Sequence, residues 1–198
     1  MSRRARIHQW TYAVGLGLLA AGLPSSVFLM SFSQIIIFLN WLAEGEFAQK
    51  IRRIRENRAA LVFLSIYLVH IIALFHSSNT GYGLSTLKSR LPILLLTAVV
   101  VSSRPLPSGF KQWILLVFSL SITLVSIFSV SIFMSGEYAG YRELSPFISH
   151  IRISLMVALS VFLLLYLSEN EFKYRPPLRL LMYIMASWHL LYLFMLRS

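Results

Sequence analysis

The stretch Ser145–Leu167, SPFISHIRISLMVALSVFLLLYL, places His150 and Arg152 at the start of a long apolar run. From Ile153 to Ser168 no residue is charged. A helix needs about 20 residues to cross the hydrocarbon core of a bilayer, and fewer when flanking side chains reach back to the interface. The stretch therefore predicts a membrane-spanning helix that begins beside a histidine and an arginine.

The composition extends this prediction to the whole chain. Of its 198 residues, 57% are hydrophobic and 13% are charged, and the mean hydropathy is +0.72. A soluble domain of this size could not bury so much apolar surface, so we expect an integral membrane protein. The net charge of +11 favours anionic lipid headgroups over nucleic acid as the partner surface. The chain contains no cysteine, which excludes a disulfide framework, a thiol nucleophile and a thiolate metal site.

Uncharged runs between basic residues predict an all-α, polytopic transmembrane helical bundle, with residues 1–198 forming a single integral membrane domain. An uncleaved first span is favoured over a cleaved signal sequence, because the second apolar run follows after only Pro24, Ser25 and Ser26. The fourth run has 13 residues between Arg90 and Arg104, a length also typical of a re-entrant segment. The seven predicted spans are residues 7–23, 27–43, 59–75, 91–103, 113–134, 153–168 and 180–196.

The distribution of lysine and arginine predicts the orientation, since these residues accumulate on the cytoplasmic side. With seven spans and a cytoplasmic N-terminus, 13 of them lie inside and 5 outside. If the fourth run does not cross, the counts become 11 and 7, which is a weaker bias. The favoured arrangement has a periplasmic C-terminus and places His150 and Arg152 outside. It also places the most charged stretch, Glu44–Ala60, at the inner leaflet, as an orientation-setting loop or as a basic amphipathic helix with a lipid or partner site.

Familiar soluble catalytic motifs are missing from the sequence. It has no nucleotide-binding glycine loop, no zinc-type His–Glu pair and no nucleophile elbow, so we predict no metal and no cofactor. No glutamate lies in the middle of a predicted span and aspartate is absent, which counts against a proton- or cation-coupled transporter. His70 and His189 are predicted to be the only ionisable groups within spans. A neutral histidine that is hydrogen-bonded between helices is favoured over a relay or ligand role for each of them.

Four basic residues are predicted near the outer headgroup level. The positive-inside tendency does not explain their presence there, because it concentrates lysine and arginine on the cytoplasmic side. Two interpretations are open: the side chains anchor the chain to lipid phosphates, or they bind an anionic substrate. Arginine presents a planar fork that suits phosphate or diphosphate, which favours a lipid carrying such a group. The four residues are Lys88, Arg90, Arg142 and Arg152.

Two segments resemble the O-antigen ligase family. Val69–Val100, VHIIALFHSSNTGYGLSTLKSRLPILLLTAVV, is similar to a histidine-containing span that leads through a short Ser-Asn loop into the next span. Leu144–Leu165, LSPFISHIRISLMVALSVFLLL, resembles the family segment written lsHiRfSL. The order and spacing of the two segments match those of the family, and the resemblance extends from about Leu23 onward. Its most specific part is the string SHIR-x-SL.

The resemblance implies a glycosyltransferase of the bacterial inner membrane. Such enzymes move a glycan from undecaprenyl diphosphate to an acceptor at the periplasmic face, which in ligases is the lipid A core, without a metal. By resemblance, Arg152 matches an arginine beside the diphosphate, and His150 is its neighbour in the motif. Family members continue into further spans and a periplasmic loop with a histidine base. We therefore expect that base beyond Ser198, and an N-terminal fragment that is inactive alone.

Two alternatives to an O-antigen ligase stay open. An O-antigen or polysaccharide polymerase of the same superfamily would use the same kind of donor and differ in its acceptor. A non-enzymatic transporter subunit or scaffold would need no donor site at all.

Overall fold

The computed structural model describes residues 3–135, 149–173 and 175–197, and within these ranges it contains helices and no strand. The all-α prediction is confirmed. A π-helical turn, Leu167–Glu171, follows directly after the seventh of the eight α-helices. The helices are α1 (Arg3–Ser25), α2 (Val27–Glu44), α3 (Phe47–Glu56), α4 (Arg58–Phe75), α5 (Thr80–Ser102), α6 (Ser108–Met134), α7 (His150–Tyr166) and α8 (Pro176–Arg197).

In the part of the chain that the structure describes, six helices are long and apolar enough to cross a membrane, which makes the chain a multi-pass membrane protein by the length and composition of its helices. They are α2, α4, α5, α6, α7 with its π-helical turn, and α8. The predicted span at residues 7–23 falls on α1, which is helical but is not one of the six. Polar residues such as His8 and Gln9 lower the hydropathy of α1. The count of seven spans and the sides of the two termini stay predictions.

The fourth span differs most from its predicted form. The uncharged run of residues 91–103 predicted a short segment, whereas α5 has 23 residues and begins at Thr80. Its N-terminus is capped by Asn79, whose side chain accepts a hydrogen bond of 3.0 Å from the backbone N–H of Tyr82. The prediction treated Lys88 and Arg90 as the boundary of the span, whereas the helix continues through both residues, and the part of α5 that lies within a membrane stays a prediction.

Contacts divide the chain into two compact units. Unit 1 comprises Met1–Tyr12 and Gln34–Pro105, and unit 2 comprises Ala13–Ser33 and Leu106–Ser198. The single domain predicted for residues 1–198 concerns the whole chain and stays a prediction. Each unit is described by itself below.

In unit 1, α4 and α5 form an antiparallel hairpin joined by residues 76–79. The short helix α3 packs against α5, where Arg53 donates a hydrogen bond of 2.7 Å to the backbone oxygen of Ser102. The chain turns from α2 into α3 through two left-handed residues, Gly45 at φ 73° and Glu46 at φ 56°. We call the end of the hairpin beside α3 the α3 end, and the opposite end the loop end.

In unit 2, α6, α7 and α8 pack around a shared apolar core. Val157 of α7 meets Tyr192 of α8 in this core, and farther along α7 Leu164 meets Ala186, so the two helices run antiparallel. The last turns of α1 approach the start of α2 closely. A Cβ atom at Gly22 would lie 2.7 Å from the backbone nitrogen of Met30, which requires glycine there. The tight connection expected between the first two apolar runs is therefore present.

Candidate functional site

Arg90 lies near the middle of a helix that is long enough to cross a membrane. Its Cα is ten residues from the start of α5 and twelve from its end. With a rise of about 1.5 Å per residue, Arg90 lies about 15 Å along a helix of roughly 35 Å. Besides the predicted His70 and His189, Lys88 and Arg90 therefore also lie within a helix that is long enough to cross a membrane.

The guanidinium of Arg90 is hydrogen-bonded to a neutral histidine of the neighbouring helix. The Nδ1 atom of His70 lies 2.6 Å from the carbonyl oxygen of Ile66, so Nδ1 carries the proton and donates it. The Nε2 atom is then free to accept the hydrogen bond from Nη1 of Arg90. The histidine is hydrogen-bonded between helices as the sequence predicts. Because it is neutral, it satisfies one donor of Arg90 without cancelling its charge.

Carboxylates in the described part of unit 1 are all held at the α3 end. Glu44 lies 3.0 Å from Lys50, Glu46 lies 2.6 Å from Arg104, and Glu56 is paired with Arg52 on α3. Across residues 3–12 and 34–105, no carboxylate is therefore paired with the cations of α5. We refer to His70 and Arg90 as the hairpin site.

An open apolar groove of about 400 Å³ runs along the same hairpin. Tyr67 and Ile71, which flank His70 on α4, both line it, and so does Leu94, one helical turn from Arg90. The hydroxyl of Tyr67 also reaches the backbone oxygen of Leu87 at 3.5 Å. The remaining lining residues lie on α4 toward the α3 end. Along the hairpin, His70 and Arg90 are at the level of the end of the groove nearer the loop, although neither residue lines the groove. The full lining is Leu61, Leu64, Ser65, Tyr67, Leu68, Ile71 and Leu94.

The other predicted site residues belong to unit 2. His150 and Arg152 lie in the first turn of α7, and the hydroxyl of Ser154 donates to the backbone oxygen of His150 at 2.7 Å. The side chain of Arg152 is exposed and makes no hydrogen bond or ion pair with residues that the structure describes. Arg142 lies outside the described residues. Lys88 and Arg90 share one helix, and His150 and Arg152 share another, so a single cluster of all five stays a prediction.

At the α3 end of unit 1, a second polar cluster is satisfied internally. The hydrogen bond from Arg104 lowers the pKa of Glu46, and the same bond raises the pKa of Arg104. Asn40 donates to the backbone oxygen of His8 at 3.1 Å, and its side-chain oxygen lies 2.9 Å from Nδ1 of that histidine. Because these groups pair with each other, we interpret the cluster as a structural contact that holds the helix ends together.

Unit 2 contains a third polar group inside its helical core. His189 is fully buried, and its Nε2 lies 3.0 Å from the hydroxyl of Thr123. The neighbouring Trp188 donates to the hydroxyl of Ser126 at 2.7 Å. These bonds join α8 to α6, as the sequence predicts for a neutral histidine between helices. In the described ranges, no three histidine or acidic side chains are grouped so that they could hold a metal ion.

Sequence reasoning missed His70 as a member of the hairpin site, and it missed the contact of Tyr67 with α5. A signal for His70 was present, because it lies in the span before α5 and only a short loop separates the two helices. Extending the fourth span by one helical turn past Leu91 would have brought Arg90 to the depth of His70.

The chain matches no protein-family model, no curated protein and no solved structure. The resemblance to O-antigen ligases therefore rests on the quoted segments alone.

Proposed function

We propose that the chain is a bacterial inner-membrane protein that binds the diphosphate of a lipid-linked glycan, as the donor-binding part of an O-antigen ligase-like glycosyltransferase. The observation that carries the proposal is Arg90, an arginine midway along an apolar helix, hydrogen-bonded to neutral His70 and paired with no carboxylate in the described part of unit 1.

The positive charge of Arg90 favours the binding of an anion. An arginine at the centre of a membrane-spanning helix costs about 2.5–3.5 kcal/mol on insertion scales, and such residues mark binding sites or pathways by default. A carboxylate partner would offset this cost, but the carboxylates described in unit 1 are paired at the α3 end. A bound anion offsets it equally well. Lys88, exposed and two residues away, adds a second cation toward the loop end.

The shape of the hairpin favours an anion that carries a long apolar chain. The groove runs from the level of the hairpin site toward the α3 end, and five of its seven lining residues are aliphatic. A polyprenyl chain in this groove would bring its diphosphate to the level of Arg90. Arg90 uses Nη1 for His70, so the other side of its fork can donate to phosphate oxygens.

The orientation of this lipid agrees with the charge distribution in unit 1. The α3 end carries the basic cluster and is expected to be cytoplasmic, so the loop end is expected to be periplasmic. A lipid with its headgroup at Arg90 and its chain directed toward the α3 end would belong to the periplasmic leaflet. Donors of periplasmic glycan transfer occupy that leaflet in the family that the chain resembles.

In the proposed reaction, arginines stabilise the departing diphosphate while the acceptor hydroxyl displaces it from the anomeric carbon. Arg152 and His150 would contribute to the donor by resemblance, and the lipid A core would be the acceptor. In this reaction a base activates the acceptor hydroxyl. A polymerase would use the same donor site, so acceptor identity distinguishes the two enzymes.

The test is binding of undecaprenyl diphosphate to the purified chain in nanodiscs, followed by native mass spectrometry. Arg90→Gln should weaken binding roughly ten- to a hundredfold, because a hydrogen bond to a charged group contributes about 1.5–3 kcal/mol. Arg90→Lys should recover part of the loss, since it keeps the charge without the fork. Arg152→Gln should also weaken binding if the resemblance holds.

The matched control is Arg6→Gln, which removes one exposed arginine from the same unit and should leave binding unchanged. Undecaprenol, which lacks the diphosphate, should bind the unmodified chain and Arg90→Gln equally. Equal diphosphate binding by Arg90→Gln and the unmodified chain would remove the basis of the proposal.

A further inference from the structure

The short helix α3 directs two of its four cations, Lys50 and Arg53, toward the protein and exposes apolar side chains. Lys50 is 2% exposed, although it carries a charge. Its Nζ donates to the backbone oxygen of Trp41 at 2.6 Å, lies 3.0 Å from a carboxylate oxygen of Glu44, and lies 4.7 Å from the centre of the Trp41 ring. A water-facing amphipathic helix has the opposite arrangement, with apolar residues inward.

Two inward cations fix α3 to the ends of two candidate membrane spans. Trp41 is in the last turn of α2, and Ser102 is the last residue of α5. Lys50 and Arg53 donate to the carbonyl oxygens of these two residues, which lack partners within their own helices. Cations at helix C-termini also interact favourably with the helix dipole. With ten residues, or about 15 Å, α3 is too short to cross a bilayer and lies at its boundary.

The outward side of α3 combines apolar and basic side chains. Phe47 is 46% exposed and Ile51, one turn later, is 50% exposed. Arg55 follows after another turn and is exposed, as is Arg58 at the start of α4. Neither arginine makes a hydrogen bond or ion pair with the described residues, whereas Arg52 pairs with Glu56. We call Phe47, Ile51, Arg55 and Arg58 the outer face.

We propose that the outer face binds anionic phospholipid at the membrane surface, with Phe47 and Ile51 between the acyl chains and Arg55 and Arg58 on the phosphates. Charge complementarity selects an anionic lipid over a zwitterionic one, and exposed apolar groups on a boundary helix select a bilayer over a soluble anion. This site is distinct from the hairpin site, because Arg90 lies twelve residues along α5 from Ser102. It does not depend on the proposed glycan donor.

The first test counts phosphatidylglycerol molecules retained by the full chain after release from nanodiscs of equal phosphatidylglycerol and phosphatidylcholine. Arg55→Gln/Arg58→Gln should lower the preference for phosphatidylglycerol by up to about fivefold per arginine at low salt. The lysine pair, Arg55→Lys/Arg58→Lys, should retain most of it.

The matched control is Lys111→Gln/Arg175→Gln, which removes the same charge from exposed positions predicted on the same side of the membrane. This control should keep the unmodified preference. If both double glutamine variants lost the preference for phosphatidylglycerol equally, net charge alone would explain the effect. If Arg55→Gln/Arg58→Gln kept the unmodified preference, the outer face would not bind the lipid. Either result would overturn the proposal.

The second test measures insertion and does not depend on the arginine variants. Since the natural chain has no cysteine, an environment-sensitive fluorophore can be attached at Ile51→Cys alone, with Gln49→Cys on another side of α3 as the control. In vesicles with phosphatidylglycerol, the Ile51 probe should shift to the blue and resist an aqueous quencher, while the Gln49 probe should stay accessible. Equal quenching of both probes would contradict insertion of the outer face.

Discussion

Two charged side chains of α3 illustrate how burial determines the contribution of a residue to stability. Lys50 is 2% exposed and bonded to Glu44 and Trp41, whereas the side chain of Arg52 is 75% exposed. Lys50→Ala should lower the free energy of unfolding by about 1–3 kcal/mol, because Glu44 and the backbone oxygen of Trp41 lose their donor, while Arg104 still lies 3.7 Å from Glu44. Arg52→Ala should cost roughly 0.5 kcal/mol or less. Denaturant unfolding in detergent micelles measures both, and similar losses would contradict the assigned role of Lys50.

The ion pair of Glu46 and Arg104 predicts a pH dependence. The hydrogen bond from Arg104 lowers the pKa of Glu46 below its value in the unfolded chain. Its stabilisation is therefore fully present above the unfolded pKa and is lost as pH falls through the lower, folded pKa. Glu46→Gln should reduce the melting temperature at neutral pH.

The melting temperatures at low pH test this assignment most directly. On acidification to about pH 3, the melting temperature of Glu46→Gln should fall less than that of the unmodified chain, because the pair is already absent. The control is Glu56→Gln, whose partner Arg52 is exposed and which should behave like the unmodified chain. Parallel acid curves for all three proteins would show that Glu46 contributes no linked stability.

At the scale of the helix, the central question is whether α4 and α5 both cross the membrane. Their antiparallel arrangement places Glu56, just before α4, and Asn79, just before α5, at opposite ends of the hairpin. Single-cysteine variants at the two positions should react with a membrane-impermeant maleimide from opposite sides of the cell membrane. Asn79→Cys is expected to react in intact spheroplasts and Glu56→Cys only after permeabilisation. Reaction of both from one side would show that the hairpin does not cross.

Helix packing in unit 2 gives a second prediction at this scale. Ser126→Ala leaves the indole N–H of Trp188 without its acceptor and should cost about 1–3 kcal/mol. Ser119 is also fully buried, but its hydroxyl has no hydrogen-bond partner within the described structure. Ser119→Ala should therefore be neutral or stabilising in the same unfolding measurement. A larger loss for Ser119→Ala than for Ser126→Ala would contradict this picture of the α6–α8 contact.

For the whole molecule, apolar run length predicted most of the helical architecture. Six predicted spans overlap the six helices that could cross a membrane, because hydropathy and helix length are properties of local sequence. The helix α5 begins before the predicted fourth span, because the prediction used charged residues as span boundaries and a helix can continue through a charged residue. The first span, residues 7–23, was predicted because this part of α1 has no charged residue. Uncharged polar residues also lower hydropathy, and the prediction did not take them into account.

The hairpin site could be predicted only in part. Lys88 and Arg90 stood out because the charge distribution predicts them on the side where basic residues are scarce. The pairing of Arg90 with His70 depends on which helix faces join and how far a long side chain reaches, and neither is encoded in apolar periodicity. The inward orientation of Lys50 has the same origin, since its partners come from the end of α2.

The most direct test of the proposed donor site is photo-crosslinking along the groove in living membranes. A photoreactive residue replaces Leu68, which is exposed in the groove, or Leu124 of α6, which is similarly exposed and serves as the control. The account predicts that the probe at Leu68 captures a polyprenyl diphosphate, that Arg90→Gln abolishes this product, and that the probe at Leu124 captures ordinary phospholipids. Identical phospholipid products from both positions, unaffected by Arg90→Gln, would contradict it.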